Sequence, residues 1–285
     1  MVGGKRPMNQ TLPLKFGYTE IKLDSWQEFF SIFLNDKIRG RFIWRGQKDA
    51  NFNLISSFDR LSNMDDIVQI HIHMADYLAK FKSYSRGKVS KMPDNDNEWW
   101  ALGQHYGLLS PLLDWSESPF IALYFAMSEA AGSEVIDRAV YALNVEAIKD
   151  ISRKVENTFE SKNIGIQKEL FDSNPEYYQE YLNLSQRPPI VEFISPFTGD
   201  IRLLSQRGLF TMAPTGQCIK EWIERNVEEN DNRQILIKII IPNRMSNKCI
   251  EALDHMNINL LTIFPDLIGA TKYANYNIQR TVLNH

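Results

Sequence analysis

The stretch GQHYGLLSPLLDWSESPFIALYFA, Gly103–Ala126, decides how the chain is to be read. It sets a His-Tyr pair, an aspartate beside a tryptophan and two serines around a glutamate directly before a strongly apolar run. Ser118-Pro119 explains part of this. Serine is a favoured helix N-cap and proline a favoured first helical residue, so a helix is predicted to start there. Ile121, Ala122, Phe125 and Ala126 form its inward face, and Gly132 is its expected end. The polar residues packed ahead of that helix then need a reason of their own.

Outward from this stretch, helical and strand-like segments alternate. A helix is expected from Asp24, where Trp26, Phe29, Phe30 and Phe33 recur at helical spacing. GRFIWRGQ reads as a short strand whose apolar run ends at Arg45-Gly46. Helices are expected over 64–82 and 96–106, the second capped by Asn95, Asp96 or Asn97. RAVYALNV (138–145), PPIVEFISP, IRLLSQRGLFTMAP and QILIKIII (234–241) have strand composition. Helices follow at 217–229 and 243–256, then a short strand INLLTIF and a last helix begun by Pro265. Residues 146–187 are charged and helical in pattern, broken at ESKNIG and SNPEYY, and read as a surface insertion. Residues 1–17 read as a flexible N-terminal arm and 18–285 as a single domain. The interleaving is too irregular for tidy βαβ winding. The expected fold class is α+β, with a mixed or antiparallel sheet and surrounding helices.

Composition removes several function classes. Apolar residues make up 44% of the 285-residue chain and charged residues 24%, an ordinary globular balance. The formal net charge of −3 gives no global pull toward nucleic acid or anionic lipid. Cys218 and Cys249, far apart and without a CxxC partner, argue against a disulfide framework and for a reducing cytoplasm. The N-terminus lacks the apolar region of a signal peptide, and no apolar run approaches the ~20 residues of a membrane span. A cytoplasmic protein without a membrane partner is expected. There is no HExxH, GxSxG, Walker A or GxGxxG pattern, so no metal is expected.

The residues with chemistry each carry a structural alternative. Arg45, beside Gly46 and Gln47, either grips phosphate in bidentate fashion or ties a loop to a carboxylate. His105 is either a satisfied core histidine or part of a site, and Tyr106 and Trp115 offer ring faces for stacking. Asp114, between Leu113 and Trp115, either meets a sugar hydroxyl or caps a turn. Ser116 and Ser118 stand at a helix N-terminus, where free N–H groups and the dipole favour an anion. Gln206, in SQRGLF (205–210), either positions a ligand or satisfies a turn; it cannot act as a base. Together these residues describe a nucleotide pocket. A nuclease-like site using Asp114 and His105 has less support, because no second acidic residue stands at ligand spacing.

At these residues the chain resembles the FRG domain family, named for a Phe-Arg-Gly motif. FIWRGQ (42–47) is similar to its first block, with Trp44 in the phenylalanine position. ALGQHYGLLSPLLDWSESPFIALYFA is similar to the second, SQRGLF to the third, and LLTIFPDLIGATKYA (260–274) to its C-terminal signature. Many relatives have Thr-Arg where this chain has Ser110-Pro111. The family's arrangement is in turn similar to the ADP-ribosyltransferase fold. That resemblance implies NAD as cofactor, held by Arg45, with Asp114, Ser116 and Ser118 shaping the pocket and Gln206 in the position of a catalytic Glu or Gln. It implies chemistry at a glycosidic bond, in the manner of a toxin or phage-defence effector, with a protein or nucleic-acid acceptor. A non-catalytic module for a nucleotide or nucleic-acid end is the alternative.

Overall fold

The computed structural model describes residues 16–33, 38, 42–61, 67–89, 91–128, 136–162, 188–195, 205–228 and 231–283. Its centre is a seven-stranded sheet in the order β1-β7-β4-β2-β3-β6-β5. The strands are β1 (Tyr18–Lys22), β2 (Phe42–Gln47), β3 (Leu112–Ser116), β4 (Arg138–Asn144), β5 (Glu192–Ile194), β6 (Gly208–Met212) and β7 (Leu236–Ile241). Only β1 and β7 pair in parallel; the other ladders are antiparallel, so the sheet is mixed. The fold is α+β, as the interleaving predicts.

Side-chain alternation along the strands divides the core. Phe42, Trp44, Val140, Ala142, Ile237 and Ile239 join the cluster beneath α5 (Pro119–Met127) and α8 (Ser246–His255). Ile43, Ala139, Tyr141, Leu143 and Leu236 join the opposite cluster. That second cluster is closed by Ala147, Ile148 and Ile151 of α6 (Val145–Lys162) and by Ile219, Trp222 and Ile223 of α7 (Ile219–Asn226). The first turns of α6 are therefore core. A third cluster sets Leu78 of α3 (Ile67–Tyr84) and Trp99 and Trp100 of α4 (Asp96–His105) against Leu112, Ile194 and Phe210.

Local signals in the sequence explain several ends. Asn95 caps α4 by accepting from the Glu98 amide at 3.0 Å. The helix closes through Gly107, whose φ of +88° lets the Leu108 amide reach the Gly103 carbonyl at 2.9 Å. Ser118 accepts from the Ile121 amide and Pro119 opens α5, as predicted.

Other expectations need correction. β2 does not end with its apolar run at Arg45-Gly46 but runs through Gln47, paired with β4 along its whole length. INLLTIF is not a strand. Asn259 accepts from the Leu261 and Thr262 amides while Thr262 Oγ1 accepts from the Asn259 amide, a capping box that makes Leu260–Ile263 helical (α9). The last helix, α10, starts at Leu267 rather than Pro265, after Asp266 has accepted from the Gly269 amide. β1 was not foreseen, because five residues at an edge give too short an alternation. The first helix is a 3-10 turn (Trp26–Glu28) running into α1 (Phe29–Phe33), and α2 (Ser57–Leu61) is an addition. The break expected at ESKNIG does not start at residue 160, because α6 continues through Lys162. The arm up to residue 15, the rest of ESKNIG and of the insertion over 163–187 with SNPEYY, and the helix end near Gly132 lie outside the described residues. Among the described residues no helix is long and apolar enough to cross a membrane.

Gly46 is the point where helix meets sheet. A Cβ there would lie 2.0 Å from the Ala122 carbonyl oxygen and 2.5 Å from the Ala126 amide, both backbone atoms of α5. Gly46→Ala is expected to destabilise by about 3 kcal/mol, because neither strand nor helix can yield cheaply. Ser118→Ala should cost about 1 kcal/mol, the worth of one cap. Urea unfolding midpoints of the two variants test both values. Burial holds the Cys249 thiol up to about 12, from an ordinary 9.0. Burial first, then Tyr276, Asp254 and Tyr273, raise Tyr124 to about 12, from 10.0. The unfolded chain ionises these groups first, so stability should be flat below about pH 9 and fall as pH climbs toward 12. Urea midpoints at pH 7, 9 and 10.5 check the sign.

Candidate functional site

The sheet forks between β2 and β3. Their ladder has one register pair, Trp44↔Ser116, whereas β2 and β4 share six and β3 and β6 share five. Beyond that pair a cleft of about 460 Å³ opens, a volume suited to a small ligand. β2 contributes Trp44, Arg45, Gly46 and Gln47 to its lining, and β3 contributes Asp114, Trp115 and Ser116. Ala122 and Phe125 of α5, Gln104 and His105 of α4, and Gln206, Phe210 and Phe264 complete that side.

Arg45 bridges the opening. Its Nη1 donates to the main-chain carbonyl of Asp114 at 2.7 Å and reaches the Asp114 carboxylate at 3.4 Å. Its Nε is buried without a hydrogen-bond partner, as is Gln47 Oε1 two residues along the strand. Such buried orphans are uncommon in folded proteins and mark a place of interest. Burial pushes the Arg45 pKa down, the Asp114 charge and hydrogen bond oppose this, and the Arg60 charge adds to the fall. A guanidinium starts high enough to stay a cation regardless.

Asp114 is held from its other side by Gln104, a residue the sequence reading passed over. Gln104 Nε2 donates to Asp114 Oδ1 at 2.5 Å. Ser110 Oγ accepts from the Leu112 amide and donates to Gln104 Oε1, which fixes the amide with its nitrogen toward the carboxylate. Ser110 is itself locked by Ser57, whose Oγ donates to the Ser110 carbonyl at 3.2 Å and accepts from its amide at 3.0 Å. Both Asp114 oxygens thus accept from donors, while the side chain stays 61% exposed and keeps lone pairs for a ligand. The signal available in sequence was the position of Gln104 one turn before Gly107, which alone does not say what it faces.

Arg45, Asp114 and Gln206 therefore line one cleft, together with Gly46, Gln47, His105, Trp115 and Ser116. Tyr106 and Ser118 do not line it. Tyr106 is 76% exposed and stands edge-on to His105, and Ser118 is spent on its cap. Trp115 is buried, its indole N–H donating to Thr211 Oγ1 at 2.8 Å, so its ring belongs to the core. Ser116 is used internally, donating to the Gln206 carbonyl at 2.6 Å and accepting from the Ser118 amide at 3.0 Å. Gln206 Nε2 donates to the Ile263 carbonyl at 3.3 Å, which ties the approach to β6 onto α9 beside Phe264. Gly46 serves the helix contact described above rather than a chain turn. Three further lining residues were not foreseen: Lys48, Phe52 and Arg60. Among the described residues no group of three His, Cys, Asp or Glu side chains stands together as metal ligands.

No curated protein and no solved structure matches the chain. The FRG domain family model matches residues 40–134, a span that takes in the FIWRGQ and GQHYGLLSPLLDWSESPFIALYFA blocks and stops before SQRGLF and LLTIFPDL. The matched span contains β2, β3, α4 and α5, and with them Arg45, Gln104 and Asp114, so the chain carries an FRG domain over residues 40–134.

Proposed function

We propose that the fork cleft binds NAD or a related nucleotide and acts at its glycosidic bond, in the manner of an ADP-ribosyltransferase or NAD glycohydrolase. The observation that carries this reading is the pairing of Arg45 and Asp114 across the open strands. Arg45 lines the cleft with its side chain 20% exposed and its Nη2 outside the contacts to Asp114, so the guanidinium offers a phosphate a charged donor. Asp114 presents acceptor oxygens to ribose hydroxyls. In the reaction the C1′–N bond of the nicotinamide riboside breaks and nicotinamide leaves with the bonding pair as a neutral molecule. Positive charge then builds on C1′ and the ring oxygen, where a fixed carboxylate lowers its energy. Water or an acceptor nucleophile adds to C1′ and its proton passes to solvent. Gln206 orients the reacting ribose. Its third-block position and its tether to Ile263 support that role. Consumption of NAD in this way fits a toxin or phage-defence effector.

The second reading is a nucleotide-binding module without turnover. What favours it is that Asp114 is the sole carboxylate among the described lining residues, with both oxygens already engaged.

Incubation of the protein with NAD and mass spectrometric detection of nicotinamide separates the two. The glycosidic reading expects release by the native chain and none by Asp114→Asn. Binding of NAD without release by the native chain selects the module, and no binding by calorimetry discards both. Arg45→Gln should weaken NAD at least about tenfold, the worth of a lost charge-assisted hydrogen bond. Gln104→Leu leaves Arg45 in place but frees the Asp114 carboxylate. Release should then slow about 10- to 100-fold while NAD affinity changes by less than about threefold, because only orientation is lost. Equal losses in rate and affinity would show Gln104 to be merely structural.

A further inference from the structure

The wall of the cleft facing Arg45 is built by the segment between β2 and α2. Lys48 follows β2 directly, Phe52 lies in the loop at 40% exposure, and Arg60 stands on α2. This segment is pinned from below. The Lys48 carbonyl accepts from Nη1 of the buried Arg138 at 2.5 Å, and Arg138 Nε is fixed on Asn243 Oδ1 at 3.0 Å. The Phe52 carbonyl accepts from the Tyr141 hydroxyl at 3.3 Å, and the Asn53 carbonyl from Gln47 Nε2 at 3.3 Å. At the start of α2, Ser56 and Asp59 hydrogen-bond each other at 2.6 Å, and Asp59 Oδ1 accepts from the Gly216 amide. The backbone is anchored at each of these points while three side chains are presented to the cleft.

The charges in the cleft do not balance. Among the described lining residues the guanidiniums of Arg45 and Arg60 stand against the one carboxylate of Asp114, in a chain whose formal charge is −3. Arg60 makes no ion pair among the described residues, and its charge is close enough to act on Arg45. Two guanidiniums held near each other in a partly enclosed space are relieved by an anion that both can reach. Phe52 adds an exposed apolar ring inside this charged cleft, where a flat ring can stack and gain cover from water. Neither Tyr106 nor Trp115 offers such a face.

We propose that the Lys48–Arg60 wall is a nucleoside diphosphate subsite, with the base stacked on Phe52 and the diphosphate spanning from Arg60 and Lys48 to Arg45. This rests on the nucleotide reading of the cleft but not on any glycosidic chemistry. The subsite distinguishes a diphosphate from a monophosphate by having cations at both ends of the anion path. It also separates two contributions by residue: the ring depends on Phe52 and the second phosphate on Arg60.

Calorimetric titration of the full chain with ADP, AMP, adenosine and inorganic pyrophosphate tests it, using the native protein, Phe52→Ala and Arg60→Gln. Both side chains are exposed enough that thermal melting should match the native protein. ADP is expected to bind at least about tenfold more tightly than AMP, from one more charge-assisted contact. Arg60→Gln should remove that preference. Phe52→Ala should weaken ADP about tenfold, as loss of base–aromatic stacking does, and leave pyrophosphate unchanged. Equal affinity for ADP and AMP, no binding of either, or ADP binding indifferent to both substitutions overturns the subsite. ADP binding as expected without nicotinamide release from NAD keeps the subsite and removes the glycosidic reading. Release with ADP binding indifferent to both substitutions does the reverse.

Discussion

The fork between β2 and β3 is held by one side chain. Two antiparallel strands that meet at a single register pair leave backbone groups in want of partners, and buried groups of that kind are expensive. Arg45 meets part of this need by donating to the Asp114 carbonyl from a neighbouring strand. The same guanidinium balances the Asp114 carboxylate, so one cation supports the opening and orders the acid inside it. On β2 itself, α5 is seated at Gly46, with its backbone where any Cβ would be. Helix, glycine and arginine are three consecutive requirements of the same geometry.

Maximal stability alone does not account for this arrangement. The charge on Arg45 is partly desolvated, and the carboxylate that faces it remains mostly exposed and therefore well screened. An ion pair of that kind contributes little to folding. Closing the sheet with ladder hydrogen bonds and an apolar residue would cost less. Ser57, Ser110 and Gln104 then form a further chain of polar contacts whose end is the orientation of one exposed aspartate. Core packing gives no reason for such an aspartate.

The sequence showed what is local. Ser118-Pro119 predicts α5 because cap and first-turn chemistry act within four residues, and Asn95 predicts α4 for the same reason. The apolar runs of β4 and β7 are long enough to be read as strands without knowing their neighbours. The fork is not legible, because register between strands separated by some seventy residues depends on packing and not on composition. INLLTIF shows the same limit at short range: its apolar content reads as strand, yet the Asn259–Thr262 capping box outweighs it. In the site, Arg45, Asp114 and Gln206 were identifiable by residue type next to glycine, proline or tryptophan, and they do converge. Of the residues expected near a ligand from proximity in sequence, Tyr106 and Ser118 lie off the cleft, while Trp115 lines it with its ring buried and its indole held by Thr211. Phe52 and Arg60 carried no sequence signal and Gln104 only its place before Gly107, since an ordinary glutamine, phenylalanine or arginine acquires meaning only from what it faces.

The matched FRG segment cannot build this cleft alone. Within residues 40–134 lie β2 and β3, whose main partners are β4 and β6, both outside it. Without β4, the Arg45 strand loses six register pairs and becomes an edge beside the very strand from which it diverges. Without β6, Asp114 and Trp115 lose their ladder, and Trp115 loses the Thr211 hydroxyl that holds its indole inward. Gln206, Phe210 and Phe264 supply the remaining lining from sequence far beyond the segment. The motif therefore encodes one arginine, one aspartate and the helix seated on the arginine's strand. The rest of the chain contributes the pairing that turns this open corner of a sheet into a defined cavity.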